Sequence, residues 1–388
     1  MFRNNEIHSA EDARLLAKRR LPWMVFDYID GAAGDGFGEA LNRKILRDFR
    51  LQSRILVNVT ERDLGVELFG KRTRCPFGIS PMGMCNLSTP GADHMLARKA
   101  AKQKVPVGVS TVASTSLEEM IETAEGHAWF QLYISGDGSS ASHLIERASQ
   151  SGYETLVVTL DVPEVGRRPR ELRRGFKMPF KIGPKQFIDF AAHPRWSLST
   201  LFAGKPDMAN FAKDGHSFDR KESRASAGWE KLARLRDRWQ GKLIVKGVLS
   251  VDDALRLKQA GIDAIQVSSH GGRQLDGAVP PILCLQNIRE ALGANYPLFY
   301  DSGIRSGEDI VKAYALGADF VFLGRPFLFA MAGNREHGLS QLWDVLTDET
   351  SLALAQIGKA SMADLGDSLV TLSPVPELLG DAAPRLQF

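Results

Sequence analysis

Short apolar runs rich in Val, Ile and Phe recur along the chain, centred near Ile79, Val107, Phe130, Val157, Ile244, Ile265, Phe299 and Val321. Most are followed by Gly, Ser or Asp and then by a stretch with helical spacing, the pattern of a buried strand leading into a helix. Successive centres lie 21 to 34 residues apart, except for one interval of 87. Each short interval suits a strand, a helix and two loops, so the eight units predict an α/β fold: a single (β/α)8 TIM barrel with a long insertion after strand four. Ser250 followed by Asp253 reads as a capping box, and Ser306-Gly-Glu-Asp309 opens another helix with acid in its first turn. These two helices are expected to end at Gly261 and Gly317. We read the whole chain, 1–388, as one domain: a helical N-terminal segment over 1–70, a barrel over 71–326 that includes an insertion over 163–240, and a C-terminal helical region over 327–388.

With 44% hydrophobic and 24% charged residues in 388, the chain can bury a large core. Lys and Arg number 49 against 46 Asp and Glu, a net charge of +3, too small a surplus for a dedicated nucleic-acid binder. Cys75, Cys85 and Cys284 lie far apart, which supports neither a disulfide framework nor a thiolate metal site and fits a reducing, cytoplasmic compartment. Charges from Arg3 to Arg20 interrupt every early hydrophobic run, against a signal peptide, and no apolar stretch approaches the roughly 20 residues needed to span a bilayer.

In such a barrel the loops after the strands' C-terminal ends build the active site. Here they carry Ser80-Pro81-Met82-Gly83, Ser110-Thr111, Gln131 with Tyr133, Thr159 with Asp161 and Arg167-Arg168, Lys246, Ser268-Ser269-His270-Gly271-Gly272-Arg273, Asp301-Ser302-Gly303-Ile304-Arg305, and Gly324-Arg325. Glycine amides and a helix N-terminus after strands seven and eight suit a phosphate, with Arg305 and Arg325 adding charge-assisted hydrogen bonds. The plainer alternative is two tight turns with solvated arginines. Lys246, directly after Leu243-Ile244-Val245, points to a bound anion or a structural ion pair. His270 is a candidate base, with Asp161 to orient its ring and Arg273 as a carboxylate anchor.

Leu21-Pro22-x-Met24-Val25-Phe26-Asp27-Tyr28, Phe130-Gln131-Leu132-Tyr133, Val245-Lys246-Gly247, His270-Gly271-Gly272-Arg273-Gln274-Leu275-Asp276, Asp301-Ser302-Gly303 and Leu323-Gly324-Arg325-Pro326 occur in that order. On these motifs, from about residue 6 to 365, the chain resembles the FMN-dependent 2-hydroxy acid dehydrogenases and oxidases. The resemblance implies FMN as cofactor and oxidation of an (S)-2-hydroxy acid to a 2-keto acid. It makes His270 the base and Asp161 the carboxylate that stabilises its imidazolium, while Arg273 and Arg168 bind the substrate carboxylate and Tyr28 and Tyr133 hydrogen-bond the substrate. Lys246 would stand by the flavin where reduction builds negative charge. Pro81, Met82, Gly83, Ser110, Gln131, Thr159 and Ser268 would also line the cofactor site, with Asp301 on its ribityl chain and Gly303, Arg305, Gly324 and Arg325 on its phosphate. Removal of the α-hydrogen as a proton and hydride transfer to the flavin both need this set.

Departures from the commonest family pattern narrow the expectation. Ser269 replaces an Asn, Met82 stands where Thr is frequent, and Val112 stands where glycolate oxidase has Trp, so a wider pocket and a bulkier acid are expected. Gly83 stands where oxidases of the family tend to carry Ala, which favours a dehydrogenase passing electrons to a quinone or cytochrome over O2; lactate monooxygenase also has Gly there.

Residues 175–215 interleave Phe176, Phe180, Phe187, Phe190, Trp196, Phe202 and Phe211 with Lys177, Lys181, Lys185, Arg195, Lys205 and Lys213. That mixture suits attachment to the inner face of the cytoplasmic membrane, and His193-Pro194-Arg195-Trp196-Ser197-Leu198 resembles the membrane-associated mandelate and lactate dehydrogenase branch. A lid or subunit contact could use the same aromatics, and the family resemblance implies a homotetramer. A flavin-dependent isomerase and a flavin binder without turnover are the competing readings; the set Tyr28, Tyr133, Arg168, His270 and Arg273 argues against both.

Overall fold

A computed structural model of the chain describes residues 6–134, 138–176, 183–204, 206–211, 223–366 and 370–372. The eight expected strands form, and we number them β1 (Phe77–Met82), β2 (Val107–Ser110), β3 (Ala128–Leu132), β4 (Thr155–Thr159), β5 (Lys242–Val248), β6 (Ala264–Val267), β7 (Leu298–Tyr300) and β8 (Phe320–Leu323). They are parallel and close into a barrel, β8 returning to β1 with Val321 opposite Phe77. Near-continuous burial, as in Thr155–Thr159 and Phe320–Leu323, follows from having helices outside and a packed interior. Rings of Trp129, Phe299 and Phe322 meet one another, and Phe69, in the turn of the short antiparallel pair Glu67–Leu68 and Lys71–Arg72, meets the first two.

A helix follows each strand. Ser250 accepts from the Asp253 N–H to start Val251–Gln259, and Ser306 with Asp309 forms a reciprocal capping box on Gly307–Ala315. Gly261 and Gly317, just past those helices, take positive φ. The last barrel helix, Arg325–Gln356, starts two residues before the expected C-terminal region and is interrupted at Asn334 and Arg335. The N-terminal helix Ala10–Arg20 packs against it. The N-terminal segment also contains a strand, Phe49–Leu51, whose antiparallel partner is Val370–Leu372 near the other end of the chain. Neither strand is visible in the hydrophobic pattern.

The excursion after β4 carries Pro169–Arg174, Pro184–Ala192 and Pro194–Ala203, each opened by a proline whose missing N–H costs a helix nothing at its first position, and then rejoins the barrel through Trp229–Arg238. It is tied to the helix Trp23–Asp30: Arg170 and Arg174 pair with Asp27, Arg170 reaches Asp30, and Asp189 accepts from the N–H groups of Trp23 and Met24. Lys177, Phe180, Lys181, Lys205 and Lys213 of the aromatic and basic mixture lie outside the described residues.

Candidate active site

His270 sits at the mouth of the barrel, in a left-handed backbone conformation at φ +56°. The two glycines that follow have positive φ, and a Cβ on Gly272 would lie 2.7 Å from the Glu39 amide, so only glycine lets this loop press against the helix Phe37–Asp48. The main-chain N–H of His270 donates to Ser268 Oγ at 3.0 Å, and its Nδ1 meets Asp161 Oδ1 at 2.9 Å. Donation from Nδ1 to the carboxylate leaves the Nε2 lone pair for a substrate proton. Burial pushes His270 below the ordinary histidine value although Asp161 pulls the other way. The resting imidazole is therefore neutral, as a base requires.

Lys246, buried on β5, is the charge centre behind this pair. Its Nζ donates to Ser268 Oγ at 2.8 Å and lies 3.6 Å from Asp161 Oδ2 and 3.4 Å from Asp301 Oδ2. Asp301 also accepts from Ser268, Ser302 and Gln266. Burial would raise Asp161, but Lys246 and His270 hold it below the usual carboxylate range; burial would lower Lys246, but Asp161 and Asp301 hold it up. Both stay charged without solvent.

The two expected anchors meet on one carboxylate. Arg168 Nη1 and Arg273 Nη2 donate to Glu171 Oε1 at 3.2 and 3.0 Å, while Arg168 Nε donates to the Arg273 carbonyl. Burial, then the neighbouring Arg168 and Arg325, pull Arg273 down to about 9, the mark of a cation short of negative charge. Tyr28 stacks on Phe176 at 4.4 Å, under Arg273, and its hydroxyl is 3.4 Å from the Gly83 carbonyl. The phenol of Tyr133 feels Asp161, Lys246 and Arg168. These side chains come from the loops after β3, β4, β6 and β7, from β5 itself and from one N-terminal helix, yet they meet at one end of the barrel.

Two buried polar atoms at strand ends have no partner in the protein: Gln131 Nε2 on β3 and Thr159 Oγ1 on β4. Ser110 Oγ and the Thr111 N–H both converge on Gln131 Oε1, which fixes the amide and leaves the NH2 pointing elsewhere. Burying such groups unpaired costs about 1–3 kcal/mol each, so these positions fit a polar planar ring such as an isoalloxazine. Gly83 and Val112 are in contact range, and Met82 reaches the Gly324 turn, where a Cβ would lie 3.1 Å from its Sδ. Gly303 has φ +91°, and a Cβ there would meet the Asn42 carbonyl at 2.9 Å.

Arg305 and Arg325, the arginines expected on a phosphate, are largely buried and bonded within the protein rather than solvated. Arg305 pairs with Glu39 at 3.0 Å, and Arg325 donates to the carbonyls of Ile29, Gly31 and Gly271. Burial pulls both down, Arg325 to about 10, while Glu39 opposes the shift in each. Glu39, Glu171 and Arg224 lie among these residues and escape the sequence reading, because they sit outside the strand-end motifs; Ser302 stands in the strand-seven motif, but its contacts are not legible there. The φ of +90° at Ser302 places its hydroxyl to accept from the N–H groups of Ser269 and Gly271.

A neutral base, a buried cationic anchor and an anion-seeking glycine and arginine cluster in one barrel mouth are the parts of a cofactor-dependent oxidoreductase that works on a carboxylate-bearing substrate. The family model for FMN-dependent dehydrogenase matches residues 17–372. The (S)-mandelate dehydrogenase of Pseudomonas putida is 38% identical over 97% of this chain and 98% of its own length. An L-lactate dehydrogenase of Pseudomonas syringae pv. syringae is 34% identical over 94% of this chain and 98% of its own. The crystal structure of the monotopic membrane protein (S)-mandelate dehydrogenase superposes with a TM-score of 0.90 at 38% identity, covering 94% of this chain and 99% of that one. The chain belongs to the FMN-dependent dehydrogenase family, and its cofactor is FMN.

Proposed function

We propose that this FMN-dependent 2-hydroxy acid dehydrogenase takes (S)-2-hydroxy monocarboxylic acids with a bulky or aromatic side chain, and that it works at a membrane surface with a quinone or cytochrome as acceptor. The observation that carries the reading is the 2.9 Å contact between His270 Nδ1 and Asp161 Oδ1 beside Arg168 and Arg273. The substrate carboxylate binds Arg273 and Arg168, two cations that share the single carboxylate of Glu171. Tyr28 and Tyr133 hydrogen-bond the substrate and fix the carbon that loses hydrogen near His270. Nε2 of His270 then takes a substrate proton, and Asp161 stabilises the imidazolium. Bound FMN supplies the two-electron acceptor. Gln131, Thr159, Ser110, Ser268, Lys246 and the Pro81–Gly83 backbone hold its ring, Asp301 its ribityl chain, and the 303–305 and 324–325 turns its phosphate.

The 38% identity to (S)-mandelate dehydrogenase and the small Val112 support an aromatic acid. Membrane attachment is supported by a cluster of exposed apolar side chains on the excursion: Phe187, Ile188 and Leu201 at 67%, 68% and 75% exposure and Phe202 at 86%. Lys185 and Arg195 flank them, as suits an anionic headgroup layer. No described helix is long and apolar enough to cross a membrane. Steady-state oxidation of (S)-mandelate, (R)-mandelate and (S)-lactate with a soluble quinone tests the assignment. Turnover of (S)-mandelate with the (R) form inert is expected; inert (S)-mandelate beside rapid (S)-lactate would move the substrate class to small aliphatic acids.

A further inference from the structure

The excursion leaves the barrel after β4 and comes back through residues 223–228, and the returning arm brings Arg224 into the site. The Arg224 N–H donates to the Pro163 carbonyl at 2.8 Å, which ties the outgoing and returning arms together at the barrel mouth. The residue is only 6% exposed, and its guanidinium carbon lies 4.9 Å from the centre of the Tyr133 ring. From the strand side, Tyr133 is fixed by its own N–H, which donates to Thr111 Oγ1 at 3.1 Å. The ring is thus held by backbone on one side and by a buried cation on the other.

We propose that Arg224 is a positioning residue that acts through Tyr133, packing on the ring so that the phenol hydroxyl is aimed at the substrate. The inference rests on the reading that the Tyr133 hydroxyl meets the substrate. A desolvated guanidinium over an aromatic face is among the stronger cation–π contacts, and it removes freedom from a ring whose work is orientation. Burial and Asp161 push the Tyr133 phenol up, while Lys246 and Arg224 oppose them, so the same cation helps the hydroxyl act as a donor beside a carboxylate. Nothing in the sequence marks Arg224, which stands in a polar Ser-Arg-Ala-Ser stretch between the Arg167-Arg168 and Val245-Lys246-Gly247 motifs and belongs to neither.

The test is a double-mutant cycle on FMN-loaded enzyme, with kcat and KM measured for Arg224→Met, Arg224→Lys, Tyr133→Phe and Arg224→Met/Tyr133→Phe, and FMN content and melting temperature recorded for each. Arg224→Met is expected to lower kcat/KM about tenfold. Arg224→Lys should keep most of the activity, because a cation stays over the ring. In the Tyr133→Phe background, Arg224→Met should cost less than twofold. An equal loss in both backgrounds, or no loss in either, overturns the proposal. If Tyr133→Phe alone leaves kcat and KM unchanged, the substrate role of Tyr133 falls; a loss on Arg224→Met in that case shows that Arg224 acts elsewhere and overturns the proposal separately.

Discussion

His270 Nδ1 donates to Asp161 Oδ1 across 2.9 Å, while the other Asp161 oxygen has no hydrogen bond and faces the Lys246 ammonium at 3.6 Å. The carboxylate is therefore shared between the proposed base and a permanent cation. His270→Gln keeps the side-chain size and removes the base. We expect it to retain FMN and to lose at least 10²- to 10⁴-fold in kcat, about the worth of general base catalysis. Turnover within tenfold of the parent would contradict the assignment.

Only neutral His270 can accept the proton, and burial holds its pKa below the ordinary 6.5. The kcat/KM profile should be flat near neutrality and fall as pH drops through a midpoint under 6.5. Asp161 raises the His270 value, so Asp161→Asn should move that midpoint lower still while reducing kcat, because the imidazolium loses its counter-charge. A pH–rate series on both forms checks this; an upward shift in the variant would mean that Asp161 does not face the base.

A Cβ added at Gly83 would lie 2.5 Å from Val112 Cγ2, closer than real side chains approach. Gly83→Ala should accordingly destabilise the enzyme by about 1–3 kcal/mol through overpacking. Trimming the neighbour in Gly83→Ala/Val112→Ala should recover most of it. Urea midpoints of the three variants give the answer, and strictly additive losses would show that the two sites do not share space.

The exposed patch should separate attachment from chemistry. Replacing Phe187, Leu201 and Phe202 with Ser removes apolar surface that is 67%, 75% and 86% exposed. Co-sedimentation with vesicles containing anionic lipid is expected to drop at least tenfold. Turnover with a soluble acceptor should stay within twofold. Full binding by the triple variant would place the contact elsewhere.

Much of this was legible in the sequence for a physical reason. Parallel strands buried on both faces read as continuous apolar runs, and β1 to β8 all fall on the expected centres. The acid–base pair was legible because His270 and Asp161 sit at strand ends. What escaped needed long-range geometry. Phe49–Leu51 pairs with Val370–Leu372 across nearly the whole chain, too short a pair to leave a pattern. Glu171 looks like one more charge in Arg-Glu-Leu-Arg-Arg, and only folding places it between Arg168 and Arg273. Arg305 and Arg325 read as phosphate donors at strand ends, and nothing in the sequence shows that they also brace Glu39 and the 29–31 carbonyls.

Anaerobic addition of (S)-2-hydroxy acids to the purified yellow protein, followed at the flavin absorbance maximum, bears most directly on the proposal that His270, Arg168 and Arg273 deliver a hydroxy acid to FMN. Bleaching by (S)-mandelate or a comparable (S)-acid, absent in His270→Gln, with slow recovery of colour on admitting air, is the predicted result. A flavin that stays oxidised with every acid while remaining fully bound would leave the fold and cofactor intact and contradict the proposed chemistry.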